Sequence, residues 1–347
     1  MKDQFGRAID YMRVSVTDRC NLRCVYCMPE EGVSAISHQD ILTFDEIARL
    51  CRIGAGLGIT KIKLTGGEPL VRKNLSVLLG MVKSIPGIEQ VTLTTNGILL
   101  KEQINELVYN GLDSVNVSID TLDPERYRKV TRGGCVEKAL KGLAAAAAFP
   151  DVRVKVNCVP LKDAQEEEYI QLALLAKDGR ADVRFIEMMP IGMGKIFSGR
   201  SSEEICSILK RTFGEPEQYR GRLGNGPAVY MQFPGFRKKV GFISAVSHQF
   251  CGGCNRVRLT SEGYMKPCLQ YGNGVDLRAL LRSGAGDDEI CETMRDIVFE
   301  KPACHQFSAD AGRKANAGAT LAAAEQTNAD AVGGMSLESK GMSKIGG

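Results

Sequence analysis

Three cysteines, Cys20, Cys24 and Cys27, are packed into the run CNLRCVYC, directly after an alternating segment from Met12 to Thr17 that reads as a β-strand. Iron-sulfur clusters and structural zinc usually take four protein ligands, so three thiolates predict a site with one metal position open. An open position is where a substrate can bind. Zinc completed by a distant ligand such as His38, or three unrelated buried thiols, are the competing readings. A second trio, Cys251, Cys254 and Cys268, occurs in CGGCNRVRLTSEGYMKPCL. C-x2-C followed by a hairpin and a third cysteine suits a zinc knuckle closed by Cys291 or Cys304 as well as it suits a second three-thiolate cluster. Arg256 and Arg258 stand two residues apart on a predicted strand beside this trio, so both leave the same face. Next to a structural zinc they would be idle, whereas next to an open iron they suit an anionic substrate. Two solvated arginines on an edge strand are the plainer alternative.

The elements that must position these residues follow a simple alternation. Strands are expected at Arg13–Thr17, Ile62–Thr65, Val91–Thr95, Ser114–Ile119, Val152–Val159 and Val183–Glu187. Between them, Phe44–Gly56, Asn74–Lys83 and Glu102–Asn110 carry apolar residues at helical spacing, with Thr43 and Ser201 as N-caps. Six β-α units predict a parallel sheet, and the polar motifs at the strand ends favour an incomplete (βα)6 barrel. Those motifs are the cysteine loop, TGGEP at 65–69, TTNG at 94–97, SID at 118–120, KVN at 155–157 and EMMP at 187–190. Residues 1–215 are read as this partial barrel. Residues 216–307 are read as a smaller α+β region closing its open side, after a linker between Gly214 and Met231, with strands near Val240–Ser244 and Arg256–Thr260 and helices at Val275–Arg282 and Asp288–Phe299. Residues 308–347 form an Ala/Gly-rich tail, expected to be disordered from about Ser308 to Ser339.

Composition excludes several classes. Lys and Arg number 45 against 41 Asp and Glu, a net charge of +4, so no polyelectrolyte signal for nucleic acid exists and any anion site must be local. The N-terminal MKDQFGRAIDYMR lacks the apolar core of an export signal, and no apolar run approaches the roughly 18 residues of a membrane span, so a cytoplasmic protein is expected. Twelve cysteines in that setting point to metal or redox chemistry rather than disulfides, and three histidines are too few for a His-rich metal site. No GxxxxGK[ST] loop is present, so any triphosphate must be held by arginine and lysine.

The spacing C-x3-C-x2-C, with Tyr26 before the last cysteine, resembles the signature of the radical S-adenosylmethionine (SAM) superfamily. Together with TGGEP and CGGCNRVRLT, it makes the chain resemble the GTP 3′,8-cyclase family of molybdenum cofactor biosynthesis, from about Asp10 to Phe299 and again at Gly341–Gly347. The resemblance implies two [4Fe-4S] clusters, one on Cys20, Cys24 and Cys27 with SAM on its fourth iron, the other on Cys251, Cys254 and Cys268 with its open iron against guanine. It implies SAM contacts from Tyr26, Gly66, Gly67, Glu68, Ser118 and Met189, and GTP contacts from Arg13, Lys63, Thr94, Lys155, Arg256 and Arg258. Arg256 or Arg258 is further expected to stabilise the cyclised radical, and the terminal Gly346-Gly347 to reach the active site. The implied reaction removes hydrogen from C3′ of GTP and joins C3′ to C8. A flavodoxin- or ferredoxin-type reductant, a downstream cyclic pyranopterin monophosphate synthase and a homodimer come with it. Lys63 stands where the family commonly has arginine, which keeps the charge and loses the bidentate fork. The alternatives are a peptide-modifying radical SAM enzyme with an auxiliary cluster, for which five cysteines from Cys251 to Cys304 are few, and a non-catalytic zinc or iron-sulfur module.

Overall fold

The computed structural model describes residues 1–34, 36–221, 223–307 and 336–345. Six strands pair in sequence order, all parallel: β1 (Tyr11–Ser15), β2 (Lys61–Thr65), β3 (Gln90–Thr95), β4 (Ser114–Ser118), β5 (Arg153–Cys158) and β6 (Asp182–Ile186). Parallel neighbours need long crossovers, and helices supply them: α1 (Phe44–Gly56), α2 (Leu75–Lys83), α3 (Leu100–Tyr109), α4 (Pro124–Thr131), α5 (Val136–Ala147) and α6 (Glu166–Lys177), with α7 (Ser202–Phe213) after β6.

Each strand reads as two sequences interleaved. Val14, Leu64, Leu93, Val117, Val156 and Phe185 are buried in one apolar core with the helices. The alternate residues, among them Arg13, Lys63, Thr94, Asn116, Lys155 and Arg184, form the other face, and a strand's period of two puts them all inside. Local signals fix the helices. Thr43 caps α1 in a reciprocal capping box with Glu46, and Ser201 does the same for α7 with Glu204. Asn74, expected inside α2, instead sits before it in the left-handed region at φ 60°.

The parallel run is longer than six strands. The C-terminal region adds β9 (Val240–Ile243) parallel to β6 and β10 (Arg256–Leu259) parallel to β1, so it extends the sheet at both edges as well as covering the open side. The expected linker at Gly214–Met231 holds β7 (Glu217–Tyr219) and the start of β8 (Val229–Gln232), an antiparallel pair that continues the sheet beyond β9. At the other edge, β11 (Tyr264–Lys266) and β12 (Val275–Asp276) follow β10 antiparallel. The helix expected from Val275 therefore starts only at Leu277, as α8 (Leu277–Arg282) capped by Asp276, and is followed by α9 (Asp287–Phe299). Edge pairing wins here because a strand with one side open leaves its peptide groups unsatisfied.

The tail is partly ordered where disorder was expected. Ser336 O accepts from Gly272 N at 2.8 Å, Glu338 N donates to Gln270 O at 2.7 Å, and the Glu338 carboxylate meets buried Lys266. Ile345 is fully buried with Ile191 and Phe307. Residues 308–335 and the terminal Gly346 and Gly347 lie outside the described residues. Among the described residues, no helix is long and apolar enough to cross a membrane.

Gly142 tests this packing against intrinsic propensity. Alanine in a helix interior normally stabilises by roughly 0.5–1 kcal/mol. A Cβ at Gly142 would instead collide with the Gly97 carbonyl oxygen and lie 3.0 Å from Leu100 Cβ, where α5 crosses the start of α3. Gly142→Ala should therefore destabilise by about 1–3 kcal/mol, read as a lower denaturation midpoint in urea; a raised midpoint would refute the close helix contact.

Candidate active site

Register in the parallel sheet brings cations together that lie far apart in the chain. Arg13 pairs with Arg258 on one side and with Lys63 on the other, so three basic side chains stand abreast on β10, β1 and β2. Across the barrel, Arg184 donates from Nε and Nη2 to Asn157 Oδ1 at 2.9 and 2.5 Å. Burial and the charges of Arg184, Arg13, Lys155 and Arg256 push Lys63 well below the usual lysine range. Burial, then Arg184 and Arg153, brings Lys155 down to about 7. Burial and the neighbouring Arg13 and Arg256 likewise disfavour the charge on Arg258. So many buried like charges are costly alone and favour a polyanion among them.

A cavity of about 320 Å³ opens above these cations, at the small end of the roughly 300–1,000 Å³ typical of ligand sites. Both cysteine trios line it: Cys20, Cys24 and Cys27 on one wall, Cys251, Cys254 and Cys268 on another. The first trio sits in a loop pinned to α4, with Arg23 N and Val25 N donating to Thr131 O and Val130 O at 3.0 and 2.9 Å. Leu22 N donates to Cys20 Sγ at 3.4 Å. Burial pushes Cys20 up to about 11, and burial, Asp120 and the other two thiols push Cys24 well above its usual value. These thiols thus become thiolates only when positive metal offsets the environment.

Two buried carboxylates stand beside the first trio, along with Arg23, which donates from Nη1 to Cys20 O at 2.7 Å. Tyr26 Oη donates to Asp120 Oδ2 at 2.7 Å, and Val159 N donates to Asp120 Oδ1 at 2.8 Å. Glu68 accepts from Asn96 N at 2.6 Å, from the Thr95 hydroxyl at 2.7 Å and from Leu70 N at 3.0 Å. Burial raises Asp120 to about 6 and Glu68 to about 7. Gly66 and Gly67 line the cavity, yet their first requirement is packing: a Cβ at Gly66 would lie 2.5 Å from Thr17 O, and one at Gly67 2.6 Å from Asp18 O.

The second trio has the opposite surroundings. Burial would raise Cys254, but the Arg256 guanidinium and the Lys301 ammonium outweigh it and bring the thiol down to about 7. His305 N donates to Cys251 Sγ at 3.3 Å, and Phe250 stacks under Arg256 with the guanidinium 5.1 Å from the ring centre. Cys291 lies on α9 against Arg295, outside the cavity lining, and Cys304 is exposed. His38, the other candidate ligand, is exposed on a short 3-10 turn.

Among the described residues, no three His, Cys, Asp or Glu side chains gather closely enough to hold one metal ion. Zinc needs all its ligands within about 2.3 Å of one centre, whereas each thiolate of a four-iron cluster binds a different iron, so its sulfurs stand farther apart. Cys24 feels both Cys20 and Cys27, and all three line the cavity, so the donor set suits three thiolates on one cluster.

Sixteen of the eighteen residues expected from sequence divide simply: Arg13, Tyr26, Gly66, Gly67, Glu68, Thr94, Ser118, Met189, Arg256, Arg258 and the six cysteines line the cavity. Lys63 and Lys155 do not. They stand behind it among the other cations, where the loop carrying Gly224 approaches the Lys155 ammonium and Asn225 bonds Gln90 at the N-terminal end of β3. Sequence reasoning placed Asn96 and Asp120 in strand-end motifs without assigning them a role, and missed Arg184 and Lys301. Alternation on β6 was the available signal for Arg184; Lys301 follows a helix in an irregular segment and carries none.

Comparison with known proteins identifies the family. The profile of the Radical SAM superfamily matches residues 14–176, and that of Molybdenum Cofactor Synthesis C matches residues 181–307. GTP 3′,8-cyclase of Clostridium perfringens (strain 13 / Type A) is 45% identical over 307 residues, covering 88% of this chain and 95% of that protein. The protein of the same name from Alkaliphilus oremlandii is 41% identical over 325 residues, covering 92% and 98%. The solved structure of Streptococcus suis SuiB bound to S-adenosylmethionine superposes with a TM-score of 0.56 at 15% identity, covering 83% of this chain and 68% of that one, a likeness of fold. The chain belongs to the GTP 3′,8-cyclase family of the radical SAM superfamily.

Proposed function

We propose that this chain converts GTP to 3′,8-cyclo-7,8-dihydroguanosine 5′-triphosphate, the opening step of molybdenum cofactor biosynthesis, with SAM bound beside the first cysteine trio and GTP between the second trio and the barrel cations. The observation that carries it is the cavity itself, which both cysteine trios line together with Arg13, Arg256 and Arg258, close to buried Lys63. When bound by Cys20, Cys24 and Cys27, a [4Fe-4S] cluster supplies the electron that cleaves SAM to methionine and a 5′-deoxyadenosyl radical, the agent that takes hydrogen from C3′ of GTP.

The protein's own residues hold and separate the two substrates. Tyr26, Gly66, Gly67, Glu68, Ser118 and Met189 surround SAM, with the carboxylates of Glu68 and Asp120 facing its cationic groups. Arg13, Lys63, Thr94, Lys155 and Arg184 take the triphosphate toward the closed end of the barrel. Each charge-assisted hydrogen bond is worth roughly 1.5–3 kcal/mol, so three or four reach the roughly 8 kcal/mol of micromolar affinity after ordering costs. Arg256 and Arg258 face the guanine end, where fixed positive charge stabilises the electron-rich ring of the cyclised radical as it is reduced. Cys251, Cys254 and Cys268 hold a second [4Fe-4S] cluster in this reading, supported by the cationic setting of Cys254. Residues 216–307 thus bring the substrate side to a SAM-handling barrel of residues 1–215.

The electrons come from outside the chain, which fits a flavodoxin- or ferredoxin-type donor. No disulfide joins the twelve cysteines, in keeping with a reducing, cytoplasmic setting. A homodimer and transfer of product to cyclic pyranopterin monophosphate synthase complete the family resemblance. A peptide-modifying enzyme has only likeness of fold behind it, at 15% identity.

Anaerobic incubation with GTP, SAM and a strong reductant should yield 5′-deoxyadenosine together with a cyclised guanosine triphosphate; deoxyadenosine without the nucleotide product would assign the radical to another substrate. Anaerobic metal analysis should find about eight irons and no zinc per chain, and about four irons with one zinc would remove the second cluster. GTP binding should weaken with rising pH. Lys155 is charged below about 7 and neutral above it in the free protein, so above that pH the triphosphate must draw in a proton. Affinity measured by calorimetry should fall by up to about tenfold per unit between pH 7 and 9, and Lys155→Arg should flatten the profile. A pH-independent affinity in the parent chain would exclude Lys155 from the phosphate site.

A further inference from the structure

We propose that Arg7 is a positioning residue for the second cysteine trio, acting through a bracket it forms with Lys301. The inference rests on that trio holding a cluster.

Arg7 precedes β1 and has no place in the cavity lining, yet its side chain is buried and all five of its N–H groups find acceptors. Nε meets Asp3 Oδ2 at 2.5 Å. Nη1 donates to Cys251 O at 2.9 Å and Ala303 O at 2.8 Å. Nη2 donates to Pro302 O at 2.7 Å and Lys301 O at 3.4 Å. One guanidinium therefore ties the first ligand of the trio to the segment 301–303. The hook that presents it is built locally: Asp3 Oδ1 accepts from Phe5 N at 3.0 Å and Arg7 N at 2.9 Å around Gly6 at φ +76°. Glycine suits that turn because the conformation is strained for other residues.

Lys301 carries the bracket to the other two ligands. Its buried ammonium donates to Arg256 O at 2.9 Å, two residues from Cys254, and to Pro267 O, the residue before Cys268. Beyond the clamped segment, His305 N donates to Cys251 Sγ. Cys251 is thus held directly and the other two through Lys301. An apolar plug at residue 7 would strand three buried carbonyls, those of Cys251, Lys301 and Pro302, each costing about 1–3 kcal/mol, and would release the part-buried Ala303. Lysine has only three donors on a single atom and cannot span both segments in one plane. A buried ion pair gives little net stability by itself, so what Arg7 and Asp3 contribute is the placement their hydrogen bonds enforce.

The test is iron content after anaerobic reconstitution of the full chain in two backgrounds. With Cys20, Cys24 and Cys27 replaced by alanine, the parent should hold about four irons and Arg7→Ala fewer than about one. Arg7→Lys should lose at least about half of them and broaden the electron paramagnetic resonance signal that remains. Lys2→Ala, at an exposed neighbour, should leave iron and signal unchanged. With Cys251, Cys254 and Cys268 replaced instead, Arg7→Ala should keep its iron and the spectral change on adding SAM. Iron retained by Arg7→Ala in the first background, or lost equally in both, would overturn the assignment. A parent that binds no iron in the first background would instead bring down the second-cluster reading, and the bracket with it.

Discussion

The structure depends on a row of like charges held inside a parallel sheet. Arg258, Arg13 and Lys63 are directly registered on adjacent strands, with Arg184 and Lys155 facing them, and each makes its neighbours more costly to keep ionised. Such an arrangement survives only because the opposite face of every strand is buried against helices, giving the sheet enough apolar contact to tolerate it. The same repulsion makes the barrel a site for a polyanion, since a triphosphate removes it on binding.

Electrostatic polarity then divides the cavity. At the first trio Glu68 and Asp120 are joined by Arg23, whose guanidinium donates to Cys20 O, and burial still raises the thiols of Cys20 and Cys24. At the second, Arg256 and Lys301 draw Cys254 to about 7. In the proposed arrangement SAM takes the first wall and the nucleotide tetra-anion the second, an order in which charge sorts the substrates before shape does. The ordered part of the tail closes one flank, with Met342 on the cavity lining and Ile345 packed on Ile191 and Phe307.

The C-terminal region does more than cover an opening. By lending β10 to β1 and β9 to β6 it fixes where Arg256 and Arg258 stand relative to Arg13, which no flexible lid could do to within a hydrogen bond. The hook at Asp3 and Arg7 extends this logic, fastening the chain's beginning to the loop that carries Cys251.

Cysteine spacing, strand alternation and helix caps are local properties, and the sequence by itself determined the two trios, the six β-α units and the capping boxes at Thr43 and Ser201, because each needs only neighbours within a few residues. It also marked Arg256 and Arg258 through the strand face they share beside a cysteine trio, and Arg13 through the family resemblance. Tertiary structure alone decided that Arg258, Arg13 and Lys63 are abreast, that Gly214–Met231 contributes β7 and most of β8 to the sheet, and that Lys301 and Arg7 reach the second trio. The first and last of those facts come from contacts between segments some 45 to 300 residues apart. Strand register is set by which edges remain unsatisfied once the core has formed, and a one-dimensional pattern carries no record of it.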